Sequence, residues 1–320
     1  MSDLEQFKFY HYDPSYAANI CFVILFAIPT IGHTYLMIRQ KTWYFLPFVI
    51  GCLFETVGYV GRVLGAQQTP DWTLTPYIMQ SLLILLAPAL FAASIYMILG
   101  RLIRLLEAEH LSVVRVKWLT KIFVAGDVMS FLAQSAGGGM LAKAKTKESQ
   151  EMGNNTVLGG LAIQIIFFGL FIVTTVIFHH RIRKQPTSRS YSVTAPWRQF
   201  IMALYFTSIL ILVRSLFRMI EYGMGRNNVL TQNEAYLFVF DGALMFLVTV
   251  TFLWYHPSRI LAGYKAVGRQ DVESRSDNIP MMGHGGQATK NLDSDGSGVP
   301  QVQAQPRRGQ EHGYNPYGRY

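Results

Sequence analysis

Residues 198–223 read RQFIMALYFTSILILVRSLFRMIEYG, and this stretch gives the clearest indication of the fold class. Its apolar part is long enough to cross, as an α-helix, a hydrocarbon core of about 30 Å. It ends in Arg214, Arg218 and Glu221, whose spacing places all three side chains on one helical face. Because charge is costly inside a bilayer, such a face usually lies toward the interior of a helix bundle. The stretch therefore predicts a membrane-spanning helix with one polar side.

The composition of the whole chain also indicates a membrane protein. Of its 320 residues, 51% are hydrophobic and 15% are charged, whereas soluble domains carry about 25% charged residues. The net charge of +9 could indicate a nucleic-acid-binding protein. However, Lys and Arg lie in short clusters between apolar runs, which is typical of membrane topology. No nucleic-acid partner is therefore expected.

Seven apolar segments are predicted to be transmembrane helices. Each has about 20 residues or more, the length that spans a bilayer. Backbone groups in lipid must be hydrogen-bonded within the segment, which favours helices. The predicted fold is therefore all-α, a polytopic membrane bundle of seven transmembrane helices with a disordered C-terminal tail. In chain order the segments cover residues 17–38, 43–64, 76–99, 120–141, 158–178, 198–220 and 235–255.

Composition divides the chain into three parts. The helical bundle is predicted at residues 17–262, after an extracellular N-terminal segment at 1–16. Residues 263–320 are rich in Gly, Ser, Gln and Pro and show no hydrophobic period. Such a segment cannot bury enough apolar surface to offset its ordering entropy, so a disordered cytosolic tail is predicted.

The distribution of Lys and Arg predicts the orientation of the bundle. They are more frequent in the first, third and fifth loops and at the start of the tail than in the other connections. This asymmetry predicts a multi-pass protein, most simply of the plasma membrane, with its N-terminus outside and its C-terminus in the cytosol. The loop KAKTKESQEMGNNT at 143–156 opposes this trend with its lysines.

Prolines and glycines inside the segments carry predictions about packing. Pro29 and Pro88 lie inside the first and third segments. Each proline frees a backbone carbonyl, which a neighbouring helix must cover. The run GGG at 137–139 follows no strand and is not a dinucleotide-binding fingerprint. It predicts close helix packing or local flexibility.

Polar side chains follow one face of several segments. In the second segment they alternate with glycines at helical spacing, so that face is both polar and closely packable. In the seventh segment Glu234 and Asp241 lie two turns apart. The candidate substrate-binding residues are Glu55, Arg62, Asp127, Gln134, Arg214, Arg218, Glu221 and Asp241.

The predicted topology places six of these residues in the outer half of the membrane as a charge-balanced layer, with Asp127 nearer the cytosol. Glu55 or Asp241 is expected to pair with Arg214 or Arg218 across the bundle. Such a layer can neutralise itself and fix helix packing, or it can receive a ligand. The sequence leaves both interpretations open.

Enzyme motifs are scarce. There is no HExxH, no Cys/His cluster at metal-ligand spacing and no phosphate-binding P-loop. The sequence therefore predicts a protein that is not an enzyme and that needs no cofactor or metal.

Six motifs resemble, in the same order, the RTA-like (resistance-to-aminocholesterol) family, also called the lipid-translocating exporter family of fungal seven-helix membrane proteins. The resemblance spans residues 15–262. The motifs are FETVGYVGR at 54–62, LLAPALFAASIYM at 85–97, GDVMSFLAQSAGGGM at 126–140, RSLFRMIEY at 214–222, NEAYLFVFDGALM at 233–245 and HPSRIL at 256–261.

The resemblance implies a protein that handles membrane lipids, such as sphingoid bases or sterol-like amphiphiles, and that contributes to resistance against toxic lipophiles. The family's polar positions match all eight candidate residues. A transporter or exporter is the favoured function. A seven-helix lipid-sensing receptor that signals through its cytosolic loops is the alternative, and a lipid-modifying enzyme comes third.

Overall fold

The computed structural model describes residues 14–68, 73–144, 146–193, 196–224 and 233–258, and these ranges form helices without any strand. Every predicted segment lies on a long helix, which confirms the all-α fold class. The predicted tail and nearly all of the N-terminal segment lie outside the described residues. The helices are α1 (Tyr16–Gln40), α2 (Leu46–Gln67), α3 (Leu74–Leu105), α4 (Val116–Lys143), α5 (Lys147–Lys184), the short α6 (Ser188–Ser192), α7 (Trp197–Gly223) and α8 (Glu234–Trp254).

Within the described residues, six of these helices are long and apolar enough to cross a membrane: α1, α2 with the 3₁₀ turn Trp43–Phe45, α3, α5, α7 and α8. The 28-residue α4 is not among them, because Asp127, Gln134 and the glycine run lower its hydropathy. It lies antiparallel along α5, since Gly126 contacts Phe167 and Gly137 contacts Gly153. That α4 crosses the membrane as a seventh span stays a prediction.

Small residues bring α4 and α5 into close contact. A Cβ atom at Gly137 would lie 2.7 Å from the carbonyl oxygen of Gly153, and one at Gly160 would lie 2.9 Å from that of Ser130. Glycine is needed where two helix backbones approach so closely. Within the glycine run Gly137 has this role, whereas no described side chain or neighbouring helix comes within 4 Å of a Cβ atom placed at Gly138 or Gly139.

The connection between α4 and α5 is shorter than the sequence predicts. Residues 143–156 were expected to form a loop, but α5 begins at Lys147. The Thr146 side chain caps this helix by accepting a hydrogen bond of 3.2 Å from the Ser149 amide. Glu148 in the first turn complements the helix dipole. Packing against α4 supports a polar helical extension that an apolar window does not detect.

Aromatic side chains fill the space between α1, α2, α3 and α8. The rings of Phe45 and Phe48 stack with centroids 4.5 Å apart, and Phe48 also contacts Phe91 and Phe252. On the opposite face of α1, apolar residues such as Ile31 remain exposed, as lipid-facing side chains do. This core holds α8 against α2, which determines where the charged residues of α8 lie.

One turn of α8 departs from regular geometry. Residues Phe238–Ala243 form a π-helical turn between two α-helical parts, Glu234–Leu237 and Leu244–Trp254. Such turns occur often at functional sites. Asp241 and Gly242 lie in this turn, and both are buried.

Candidate functional site

A fully buried ion pair joins α7 to the π-helical turn of α8. The Nε of Arg214 donates a hydrogen bond of 2.5 Å to the Oδ1 of Asp241, and both side chains are 0% exposed. A terminal nitrogen of Arg214 also donates to the Ile84 carbonyl of α3, at 3.1 Å. Ile84 lies four residues before Pro88, so its carbonyl lacks its helical donor. Arg214 therefore satisfies both a buried carboxylate and the carbonyl that the proline frees.

Asp241 has a second arginine partner. Arg218 forms an ion pair with the other carboxylate oxygen of Asp241. It also donates a hydrogen bond of 3.1 Å to Glu221 on its own helix. The expected pairing of Asp241 with an arginine of α7 is therefore present, and it involves both arginines. Glu55 pairs with neither of them.

Glu55 has a buried carboxyl group to which no described residue donates a hydrogen bond. It is 1% exposed, and neither of its oxygens has a hydrogen-bond partner within the described residues. Asp241, Arg214 and Arg218 lie near enough for their charges to interact electrostatically with the carboxyl group of Glu55. One turn further along α2, the Tyr59 hydroxyl is also buried without a partner in the described part of the chain. Burying such groups without partners is costly, so this pair marks a place where a ligand could supply hydrogen bonds.

Arg62 has partners that the sequence analysis did not assign to it. Its Nε donates to the Oδ1 of Asn19 at 2.9 Å, and it forms an ion pair with Glu234. The second oxygen of Glu234 accepts a hydrogen bond of 2.7 Å from the Ser15 amide. Arg62 thus ties α2 to the first turns of α1 and α8. Glu234 lies at the edge of the seventh segment. Its spacing from Asp241 was the sequence feature that could have identified it as a member of the site.

The two remaining candidates lie between α3, α4 and α5. The Gln134 amide donates to the Ser130 hydroxyl at 2.6 Å and to Gln164 at 3.1 Å. Asp127 is buried beside Tyr96 of α3. Its carboxylate oxygens form no hydrogen bond of normal length and angle within the described residues. Neither Asp127 nor Gln134 shares a hydrogen bond with Arg214, Arg218 or Asp241 in this part of the structure.

Comparison with known proteins identifies the family. The profile of the RTA1 like protein family matches residues 48–264, which include all eight candidates. Protein RTA1 of Saccharomyces cerevisiae is 36% identical over 272 residues, covering 77% of this chain and 84% of that protein. Protoporphyrin uptake protein 1 of the same yeast is 36% identical over 281 residues, covering 77% and 91%. The S. cerevisiae sphingoid long-chain base transporter RSB1 is 23% identical over 282 residues, covering 78% and 73%.

No solved structure matches this chain. The family profile covers most of the helical region, and the relatives align over most of their own lengths. Together with the apolar helices, these matches show that the chain is a multi-pass integral membrane protein belonging to the RTA1-like family.

Proposed function

We propose that this protein binds a single-tailed cationic amphiphile, such as a sphingoid base, and moves it across the membrane. The observation that carries the proposal is the buried carboxyl group of Glu55, which has no donor within the described residues. The similarity to a sphingoid long-chain base transporter supports the substrate class. Translocation needs no covalent step, so the proposal assigns no catalytic residue.

The distribution of hydrogen bonds supports the roles that we assign to these residues. Both oxygens of Asp241 already accept from arginines, so Glu55 is the acid that receives the protonated amine. The Nη1 of Arg214 is a buried donor without an acceptor in the described residues, and it would donate to a hydroxyl of the headgroup. Tyr59, one turn after Glu55 on α2, stacks against Phe22 and Phe26 of α1, and these rings offer an apolar wall. Asp127 and Gln134 would form a second binding site for the headgroup.

Replacing Glu55 tests this assignment. Glu55→Gln keeps the shape of the side chain and removes its charge, so purified protein should remain folded but move a labelled sphingoid base roughly tenfold more slowly or worse, as expected for a lost charged hydrogen bond. The measurement is transfer between the leaflets of liposomes. Glu109→Gln is the matched control, because Glu109 is exposed and its ion pair with Arg104 is long, at 3.6 Å.

Three outcomes would contradict the proposal. Equal transfer by the parent and Glu55→Gln would show that the carboxylate is not used. Transfer of protoporphyrin but not of the base would indicate an anionic substrate held by the arginines, in line with the protoporphyrin uptake relative. If the parent moves no lipid while loss of the protein alters a signalling response, the receptor interpretation takes its place.

We also propose that the protein resides in the plasma membrane, with its N-terminus outside and its C-terminus in the cytosol. The Lys and Arg asymmetry between alternate connections supports this orientation. Protease added to sealed cells should spare a C-terminal epitope tag and should digest it after permeabilisation. Digestion of the tag in sealed cells would reverse the orientation.

A further inference from the structure

A basic groove lies where α5 ends and α7 begins. It has a volume of about 500 Å³ and is open to the surface. None of the eight candidate substrate-binding residues lines it. Its lining residues are Val176, His179, His180, Arg183, Lys184 and Tyr205.

The positive charge of this groove is not neutralised in the described part of the structure. Arg183 and Lys184 are exposed and form no ion pair with any described residue. Arg198 lies at the start of α7. Its positive charge and that of Arg183 both act on the imidazole of His179. By contrast, Arg189 at the same end of the bundle pairs with Glu107. The described lining of the groove contains no carboxylate, so it favours an anion.

The surface that leads to the groove is apolar. Ile166, Leu170, Val173 and Val176 follow one another along α5 at helical spacing, and all four are about half exposed or more. Val176 belongs both to this apolar stripe and to the lining of the groove. The exposed face of α5 therefore changes from apolar to basic within about one turn, as it does where a lipid tail meets a charged headgroup.

We propose that this groove binds the phosphate group of an anionic lipid, with an acyl chain lying along the apolar stripe of α5. Basic pockets at the ends of transmembrane helices recognise such headgroups. The planar guanidinium groups of Arg183 and Arg198 match phosphate oxygens. A phosphomonoester, which carries more than one negative charge, fits the several cations better than a diester does. The site does not depend on the proposed transport through Glu55.

Native mass spectrometry of the purified full-length protein tests the site, with phosphatidic acid as the probe and phosphatidylcholine as the neutral comparison. The parent should retain phosphatidic acid and not phosphatidylcholine. Arg183→Gln/Lys184→Gln should bind it about tenfold or more weakly, because each basic residue near a lipid surface contributes roughly 1 kcal/mol. Lys117→Gln/Lys121→Gln is the matched control, since it removes the same charge from exposed positions at the start of the neighbouring α4.

The outcomes separate the possible sources of phosphate. Retention by the parent and the control, with loss in the groove variant, supports the proposal. Equal loss in both variants would mean that general surface charge attracts the lipid, and equal retention in all three would place the lipid elsewhere. If inorganic phosphate binds alone and displaces phosphatidic acid completely, the groove is a site for the free anion. Each of these last three results overturns the lipid assignment.

Discussion

Arg214→Ala is expected to lower the free energy of unfolding by roughly 3–5 kcal/mol, the usual cost of breaking a buried ion pair by removing one partner. Asp241 would keep only Arg218, and the Ile84 carbonyl would lose its donor. The change also leaves a cavity, because the Arg214 side chain is fully buried. Asp241→Ala should cost at least as much, because it leaves two arginines without their shared acceptor.

A double-mutant cycle measures the coupling. Unfolding of Arg214→Ala, Asp241→Ala and the double variant would be followed in detergent micelles as denaturant is added. The double variant should lose less stability than the two single losses added together, because it leaves no uncompensated partner of this pair. Arg104→Ala removes an exposed arginine and should change stability by no more than about 1 kcal/mol. Additive losses would show that Arg214 and Asp241 are not coupled.

Gly137→Ala is expected to destabilise the contact between α4 and α5, whereas Gly138→Ala next to it should not. The new methyl group at 137 would lie 2.7 Å from the Gly153 carbonyl and 2.8 Å from the Val157 amide nitrogen. Both are backbone atoms, so the helices must separate. Overpacking of this kind costs about 1–3 kcal/mol.

The neighbouring glycine is the control for this prediction. Gly138 has open space at its Cβ position, so alanine there should gain up to about 1 kcal/mol of helix propensity. Thermal unfolding of the two variants in the same detergent compares them directly. Equal melting temperatures would mean that α4 and α5 do not approach as closely as the glycines indicate.

The positions of the long helices could be predicted because lipid leaves the backbone no alternative to helix. Their ends could not, since helices continue into polar residues that an apolar window ignores. The fifth segment was predicted at 158–178, but α5 extends over Lys147–Lys184 because Thr146 caps it and α4 packs against its first turns. Caps and packing partners, rather than hydropathy, determine these limits.

The sequence predicted part of the candidate site for a similar reason. Charges deep in a membrane need opposite charges, so a pair between Glu55 or Asp241 and an arginine of α7 could be predicted. Only the structure shows that Asp241 is the acid that forms it. Which oxygen of Asp241 meets which arginine depends on the π-helical turn, and no periodic pattern of residues indicates that turn. The position of Pro88 predicts a free backbone carbonyl, but only the structure shows that Arg214 donates a hydrogen bond to it. Arg62 was assigned to the layer without its partner, because Glu234 lies at the very start of α8.

The π-helical turn gives α8 a defined axis of internal rotation. The π-helical turn holds more residues than an α-helical turn does. If this turn became α-helical by giving up one residue, the two ends of α8 would rotate relative to each other by about 100°. Glu234 anchors the first end to Arg62, whereas Asp241 anchors the turn itself to Arg214 and Arg218. The first anchor precedes the π-helical turn, and the second lies within it. Releasing either ion pair would therefore free one half of α8 to turn while the other half stays fixed to the bundle.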